Sequence, residues 1–230
     1  MKIIAFTFAG GNKYSFNNFF QKELNIIVLE YAGRGTRMTE PLLTRMDDVI
    51  ADLYPKVKKE ILIGEPYIIY GHSMGSLVAY QVCKKIQREG LPLPIKLIIN
   101  GAKGPQYSKE KIISNLPDNE FWKEITKLGG VPEEIVNETE LVNFFIPILK
   151  ADYKCVEDYH FDEESPTIKI PIDVFYGSEE DITKIEVTGW KEVSSKNVNI
   201  TQLRGNHFFF FEHKEYFTKY IQQQVSYNYE

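Results

Sequence analysis

Cysteine is scarce in this 230-residue chain: only Cys83 and Cys155 occur, with no C-x-x-C spacing. Structural zinc and haem attachment therefore lack their usual ligands, and two reduced thiols in a cytoplasmic protein are expected. No stretch approaches the roughly 18–20 consecutive apolar residues that a membrane-spanning helix needs. Excess positive charge is also missing. The net charge of −5 argues against a general affinity for nucleic acid or for an anionic membrane. The N-terminal "MKIIAFTFAGG" carries one lysine and a short apolar run, but no small-residue cleavage site follows, so it reads as a first buried strand. What is present is ordinary for a soluble globular chain: 43% hydrophobic and 26% charged residues, enough for one sizeable core.

Short apolar, β-branched runs recur between helical patterns. "KIIAFTF" (2–8), "NIIVLEY" (25–31), "PYIIYG" (66–71), "IKLIING" (95–101), "IDVFYG" (172–177) and "VNITQL" (198–203) read as buried strands. Segments 15–23, 44–63, 75–89 and 208–224 carry apolar residues at helical spacing. Strand alternating with helix predicts an α/β fold with a mostly parallel sheet and helices on both faces. One stretch breaks the alternation. Residues of about 104–170 hold no good strand, only helix-like pieces, the first with Asp118 as N-cap and a stop at Gly129-Gly130. An insertion between two strands of one sheet must sit at the strand ends, where open α/β sheets bind ligands, so it is a candidate lid on a single domain spanning 1–230.

"YIIYGHSMGSLVAYQVCKK" runs strand, tight turn, helix, with Ser73 at the turn. In a G-x-S-x-G nucleophile elbow the residues two before and two after the serine must be small, because strand and helix close on one another; Gly71 and Gly75 fill those places. A serine hydroxyl needs a base and an acid to orient that base. Of the four histidines, His72 lies inside the elbow, His160 lies among acids in the insertion, and His213 follows the start of the last helix, facing solvent. His207, in "LRGNHFFFF", falls in a loop between the last strand and the last helix, where a base would overhang the strand ends. For the acid, Glu179, Glu180 and Asp181 all follow the strand ending at Gly177, and any of them is within reach. Asp181 is favoured because it precedes Ile-Thr, where the chain turns back, and Glu180 is the runner-up. The order serine, acid, histidine is that of α/β-hydrolases. Two backbone amides should meet the oxyanion: Met74 at the start of the elbow helix, and Ala9 in the glycine loop after the first strand.

These residues resemble the type II (external, editing) thioesterases of nonribosomal peptide and polyketide synthesis, which are stand-alone α/β-hydrolases. "FTFAGG" (6–11), "YAGRGTRMTEP" (31–41), "GHSMGS" (71–76) and "LRGNHFFF" (203–210) are similar to the family's motifs, and 116–159 is similar to its lid segment. Thr7 and Ala32 stand where the family usually has proline, and Asn206 where it has glycine; the first two loosen their loops. The resemblance implies Ser73 as nucleophile, Asp181 as acid, His207 as base, and Ala9 and Met74 as oxyanion amides. Gly33, Arg34, Gly35 and Arg37 also match, with loop-pinning as the reading for the arginines.

The resemblance further implies a monomeric, cytoplasmic enzyme that hydrolyses acyl thioesters from the phosphopantetheine arm of acyl or peptidyl carrier domains, clearing stalled or misprimed synthases. No metal or cofactor of its own is expected. Phe121, Trp122, Phe144, Phe145 and Ile148 of the insertion either line an acyl pocket or pack the lid onto the core. Lys103, Lys109 and Lys111 either meet an acidic carrier or form a solvated face. Two other readings compete: an esterase or acyl-CoA thioesterase acting on small free substrates, and a non-catalytic binding protein on a hydrolase scaffold.

Overall fold

The computed structural model describes residues 1–17, 19, 24–107, 111–129 and 137–226. Strands β1 (Lys2–Phe6), β2 (Ile26–Val28), β3 (Tyr67–His72), β4 (Lys96–Asn100), β5 (Ile172–Gly177) and β6 (Val198–Leu203) form one sheet in the order β2-β1-β3-β4-β5-β6. Every pairing in it is parallel. The strand order turns back at β1 and β3, so the loops after them open beside one another at the carboxyl edge of the sheet.

Alternation along each strand divides the core. Ile4, Phe6, Ile69, Leu97, Ile99, Ile172 and Val174 pack against helices α1 (Met46–Ile61) and α2 (Met74–Arg88). Ile3, Ala5, Ile68, Tyr70, Ile98 and Phe175 face the opposite layer, where Phe16, Phe19, Phe209, Phe210 and Phe217 meet them. Strands buried on both faces must be apolar at successive positions, which is why these runs look continuous in the sequence. Helix α1 buries Val49, Ile50, Leu53, Tyr54 and Val57 at helical spacing, with Asp47 and Asp48 in its first turn and Lys58 and Lys59 in its last. Those charges oppose the helix dipole at both ends.

The insertion contributes α3 (Asp118–Lys127) and α4 (Thr139–Glu157). They build their own small core from Ile113, Phe121, Ile125, Ile146 and Leu149. Helix α4 runs through Pro147 without ending. Asp118 is the first residue inside α3, and Pro117 takes the capping position expected for Asp118, with no side-chain cap bond. Gly130 lies outside the described residues, as does part of segment 15–23. Of that segment, residues 15–17 and 19 form turns where a helix was expected. After β5 come a short helix α5 (Lys184–Thr188) and a 3-10 turn that the strand pattern did not announce. A capping box on Thr183 and Glu186 starts α5. A 3-10 turn (Phe209–Phe211) precedes the last helix α6 (Lys214–Ser226), so the expected helix at 208–224 is split in two. Cys83 and Cys155 are both buried and unbonded. Among the described residues no helix is long and apolar enough to cross a membrane.

Candidate active site

Ser73 occupies the one residue between β3 and α2, and its backbone sits at φ +55°, ψ −120°. It is the only non-glycine residue with positive φ among those described, a conformation costly for a residue with a Cβ and sustained by its surroundings. Those surroundings are tight. A Cβ on Gly71 would lie 2.3 Å from the Gly75 carbonyl oxygen, and one on Gly75 would lie 2.2 Å from that of Phe6. Glycine at both places lets strand, elbow and helix close. Buried hydrogen bonds complete the clamp: the Ser73 N–H donates to Asn100 O (2.8 Å), and Ser76 Oγ donates to Gly71 O (2.9 Å).

His207 hangs from the loop between β6 and α6, as expected. The departure at Asn206 has a local role there, since its side-chain oxygen accepts the Phe208 N–H at 2.8 Å. Asparagine folds back on its own backbone in this way, which shapes the loop beside the histidine.

The acid is where the sequence reading needs correction. Glu180 Oε1 lies 2.5 Å from His207 Nδ1, while its Oε2 accepts the Gly177 N–H at 2.6 Å. Asp181, the favoured candidate, is exposed and makes no hydrogen bond or ion pair among the described residues. The reason is tertiary. The turn after β5 is tied to the β6 loop by Ser178 N–H to Leu203 O (2.8 Å) and Glu179 N–H to Gly205 O (2.9 Å). That docking turns Glu180 inward, with its side chain 2% exposed, and leaves the next residue facing out. An ionised Glu180 makes Nδ1 the donor and leaves Nε2 free as a base.

His72 lies beneath this pair. It is fully buried, with its ring centroid 5.0 Å from that of His207 and 4.3 Å from that of Phe210. Neither ring nitrogen has a hydrogen-bond partner among the described residues. Burial first, and then the neighbouring His207, push its imidazole well below the usual histidine range. It is a neutral core group and no base. His160 is exposed, with Nδ1 on the Asp158 carbonyl at 2.8 Å. His213 is half-buried, with Nε2 2.8 Å from the Arg204 carbonyl, more tied down than the solvent-facing position expected.

Phe8, Ala9, Gly10 and Gly11 form a tight turn after β1, closed by the Gly11 N–H on Phe8 O at 2.9 Å. Gly10 takes φ +77°, the value a type II turn demands at its third position. Among the described residues nothing accepts from the Ala9 or Met74 N–H. Both amides are therefore available to a ligand, and Met74 opens α2, whose N-terminus favours negative charge.

A cavity of about 170 Å³ joins these parts, lined by Ala9, Gly10, Ser73 and His207 together with apolar side chains. Of the insertion residues considered for an acyl pocket, Trp122 and Phe145 line it. Phe121 is instead buried in the lid's own core, Ile148 is buried outside the lining, and Phe144 is exposed. Gly129, expected only as a helix stop, also lines the cavity; Ile125, Leu128, Leu149, Tyr153, Phe8 and Phe208 complete the wall and carried no separate signal in the sequence. Lys103 pairs with Glu186 (3.1 Å) and Lys111 with Glu124 (2.7 Å), which ties both to the protein itself. Lys109 lies outside the described residues. No group of three or more potential metal ligands gathers among the described residues.

Comparison with known proteins places this geometry in context. The thioesterase domain family matches residues 1–225. The chain is 26% identical to the gramicidin S biosynthesis protein GrsT of Aneurinibacillus migulanus, over 98% of this chain and 89% of that protein. It is 30% identical to the medium-chain S-acyl fatty acid synthase thioesterase of Homo sapiens, over 90% of this chain and 80% of that one. Among solved structures, ClbQ from the colibactin NRPS/PKS pathway superposes with a TM-score of 0.88 at 32% identity, covering 98% of this chain and 96% of ClbQ. YbtT, a type II thioesterase from the yersiniabactin NRPS/PKS pathway, superposes at 0.85 with 26% identity, covering 96% and 91%.

Proposed function

The chain belongs to the thioesterase family, and from that premise we propose that it frees acyl groups from the phosphopantetheine arm of carrier domains, clearing blocked nonribosomal peptide or polyketide synthases. One observation carries the mechanism. Ser73, raised on its strained elbow, and His207, held by Glu180, face the same cavity beneath the lid.

In this reading Ser73 Oγ attacks the thioester carbonyl carbon and its proton passes to His207 Nε2. The carbonyl oxygen becomes an oxyanion between the Ala9 and Met74 N–H groups, which already point free. Glu180 holds the imidazole ring and stabilises the imidazolium. Collapse breaks the carbon–sulfur bond, and the leaving sulfur takes the proton from His207. Water then attacks the serine ester with His207 again accepting a proton, and the second collapse releases the carboxylic acid and restores Ser73. Ser73 and His207 line one cavity, and the hydrogen bond between them is expected to form with substrate in place, as is common for unliganded sites. Every step uses the chain's own side chains and amides, and no cofactor enters the scheme.

The apolar wall of the cavity supports an acyl chain as the bound group, with the carrier arm entering between lid and sheet edge. The association of GrsT with gramicidin S biosynthesis, and of ClbQ and YbtT with NRPS/PKS pathways, supports a carrier-bound substrate. Incubation with acylated carrier protein, acyl-CoA and a nitrophenyl ester at matched concentration tests the reading. Carrier release fastest of the three, lost in Ser73→Ala, is the expected result. Faster turnover of the small ester overturns the carrier assignment. Wild-type protein that is folded yet unlabelled by a fluorophosphonate overturns the serine mechanism.

A further inference from the structure

One buried ion pair of this molecule joins the lid to the loop after β2. Arg34, in the loop after β2, makes a two-pronged contact with Asp152 on lid helix α4: Nη1 reaches Oδ2, and Nη2 reaches Oδ1 at 2.6 Å. Their side chains are 4% and 1% exposed. Tyr31 stacks its ring 5.1 Å from the guanidinium. A buried ion pair of this kind is rarely more stabilising than packed apolar side chains, because both charges must be stripped of water. Stability alone does not account for it.

The carboxylate has a third contact. Asp152 Oδ2 accepts the Gly10 N–H at 2.7 Å, and Gly10 follows Ala9 in the turn after β1. One helical turn earlier on α4, Leu149 presses on the same glycine: a Cβ there would lie 2.7 Å from Leu149 Cδ2. On the other side of the turn, Tyr31 Oη donates to Thr7 O at 3.0 Å. These bonds bracket the peptide unit that joins Phe8 to Ala9. Its carbonyl is taken by the Gly11 N–H, and because the peptide is trans, its N–H must point the opposite way. The plane of that N–H is thus set by Tyr31 from behind and by Asp152 from the lid. Met74, the residue after the nucleophile, lines the same crevice as Arg34 and Asp152.

We propose that Asp152 is a positioning residue: clamped by Arg34, it fixes the Gly10 amide and so aims the Ala9 N–H, making the oxyanion hole complete only when helix α4 of the lid is seated. The lid then controls catalytic competence as well as access. The inference rests on the reading of Ala9 as an oxyanion donor.

The test compares Asp152→Asn and the double variant Arg34→Met/Asp152→Leu with wild type, measuring melting temperature, kcat and KM on one small thioester. The double variant removes both buried charges together, so neither is left unpaired. Its expected signature is a folded protein whose kcat falls about 100-fold or more, the scale of losing an oxyanion donor, with KM changed less than about threefold. Asp152→Asn keeps an oxygen for Gly10 and is expected to lose about tenfold in kcat, a partial rescue that a purely structural role would not produce. A folded double variant with kcat within about threefold of wild type overturns the proposal. If neither variant folds, hydrogen exchange at the Gly10 amide of wild-type protein decides: slow exchange supports the bond, and exchange at the rate of a free surface amide overturns it. Should Ser73→Ala remain active, the underlying reading fails. Should Ser73→Ala be inactive while the Asp152 variants keep full kcat, only this inference fails.

Discussion

Replacing Glu180 by glutamine tests the acid assignment through a chain of hydrogen bonds that admits few outcomes. In the native site one carboxylate oxygen faces His207 Nδ1 at 2.5 Å and the other accepts the Gly177 N–H at 2.6 Å. Glutamine has one oxygen and one NH2 group. The Gly177 N–H needs an acceptor, so the amide oxygen settles there and the NH2 turns to Nδ1. That makes Nδ1 an acceptor and moves the imidazole proton to Nε2, where it blocks the base. A triad held in the wrong tautomer loses about 10⁴-fold in kcat, which corresponds to about 5.5 kcal/mol of barrier. Glu180→Asp keeps the charge but withdraws the carboxylate by about one carbon–carbon bond, ~1.5 Å, from both partners. A loss of about 10–100-fold is expected for it. Asp181→Asn, at an exposed side chain with no partner among the described residues, should stay within about threefold of wild type. Thiol release from a soluble acyl thioester, followed continuously, measures all three, with thermal melts confirming that each is folded. The reasoning is refuted if Glu180→Gln keeps kcat within tenfold, or if Asp181→Asn loses as much as Glu180→Gln.

Three further outcomes follow from the same geometry. His72 is held neutral in the fold, so below about pH 6.5 only the unfolded chain gains its proton. Native stability must then fall relative to His72→Leu as the pH drops, by about 0.4 kcal/mol from pH 7.5 to 6.5 and by about 1 kcal/mol from pH 6.5 to 5.5; urea unfolding at pH 7.5, 6.5 and 5.5 reads the two profiles, and parallel profiles sink the idea. His207 and Glu180 face His72 and are common to both proteins, so the difference isolates the one imidazole. Gly75→Ala drives a methyl to 2.2 Å from the Phe6 carbonyl oxygen and should cost about 3 kcal/mol or more in a denaturant titration, whereas a loss below 1 kcal/mol would mean the elbow has room to spare. The apolar cavity should also reward chain length. With about 0.8 kcal/mol per buried methylene, kcat/KM is expected to rise about fourfold per carbon along a straight acyl series until the cavity fills, and Trp122→Ala should move that limit to longer chains. A flat series would mean the acyl group binds elsewhere.

What could be read in the sequence, and what could not, divides by the range of the interactions. Strand β5 coincides with the apolar run 172–177, because a strand buried on both faces must show its burial in consecutive residues, whereas the edge strand β6 is only partly buried and alternates with exposed Asn199 and Gln202. Ser73 was legible for a similar reason: the elbow demands small residues at two fixed offsets, and both clashes that enforce them lie within the strand, turn and helix around it or against β1 beside it. His207 needed only a count of four histidines and their places between elements. The acid failed on a different kind of question. Glu179, Glu180 and Asp181 share one local signal, and only the docking of the β5 turn onto the β6 loop selects Glu180. Asp152 had no signal at all, since its partners Arg34 and Gly10 stand 118 and 142 positions away. Nothing in a helical repeat distinguishes a carboxylate facing solvent from one turned onto a turn amide. The arginine was the better clue. A side chain with five donors placed in a glycine-rich loop and then buried must find a carboxylate or carbonyls to face it, so an unassigned buried arginine beside a candidate site is itself a reason to search the covering element for its acid.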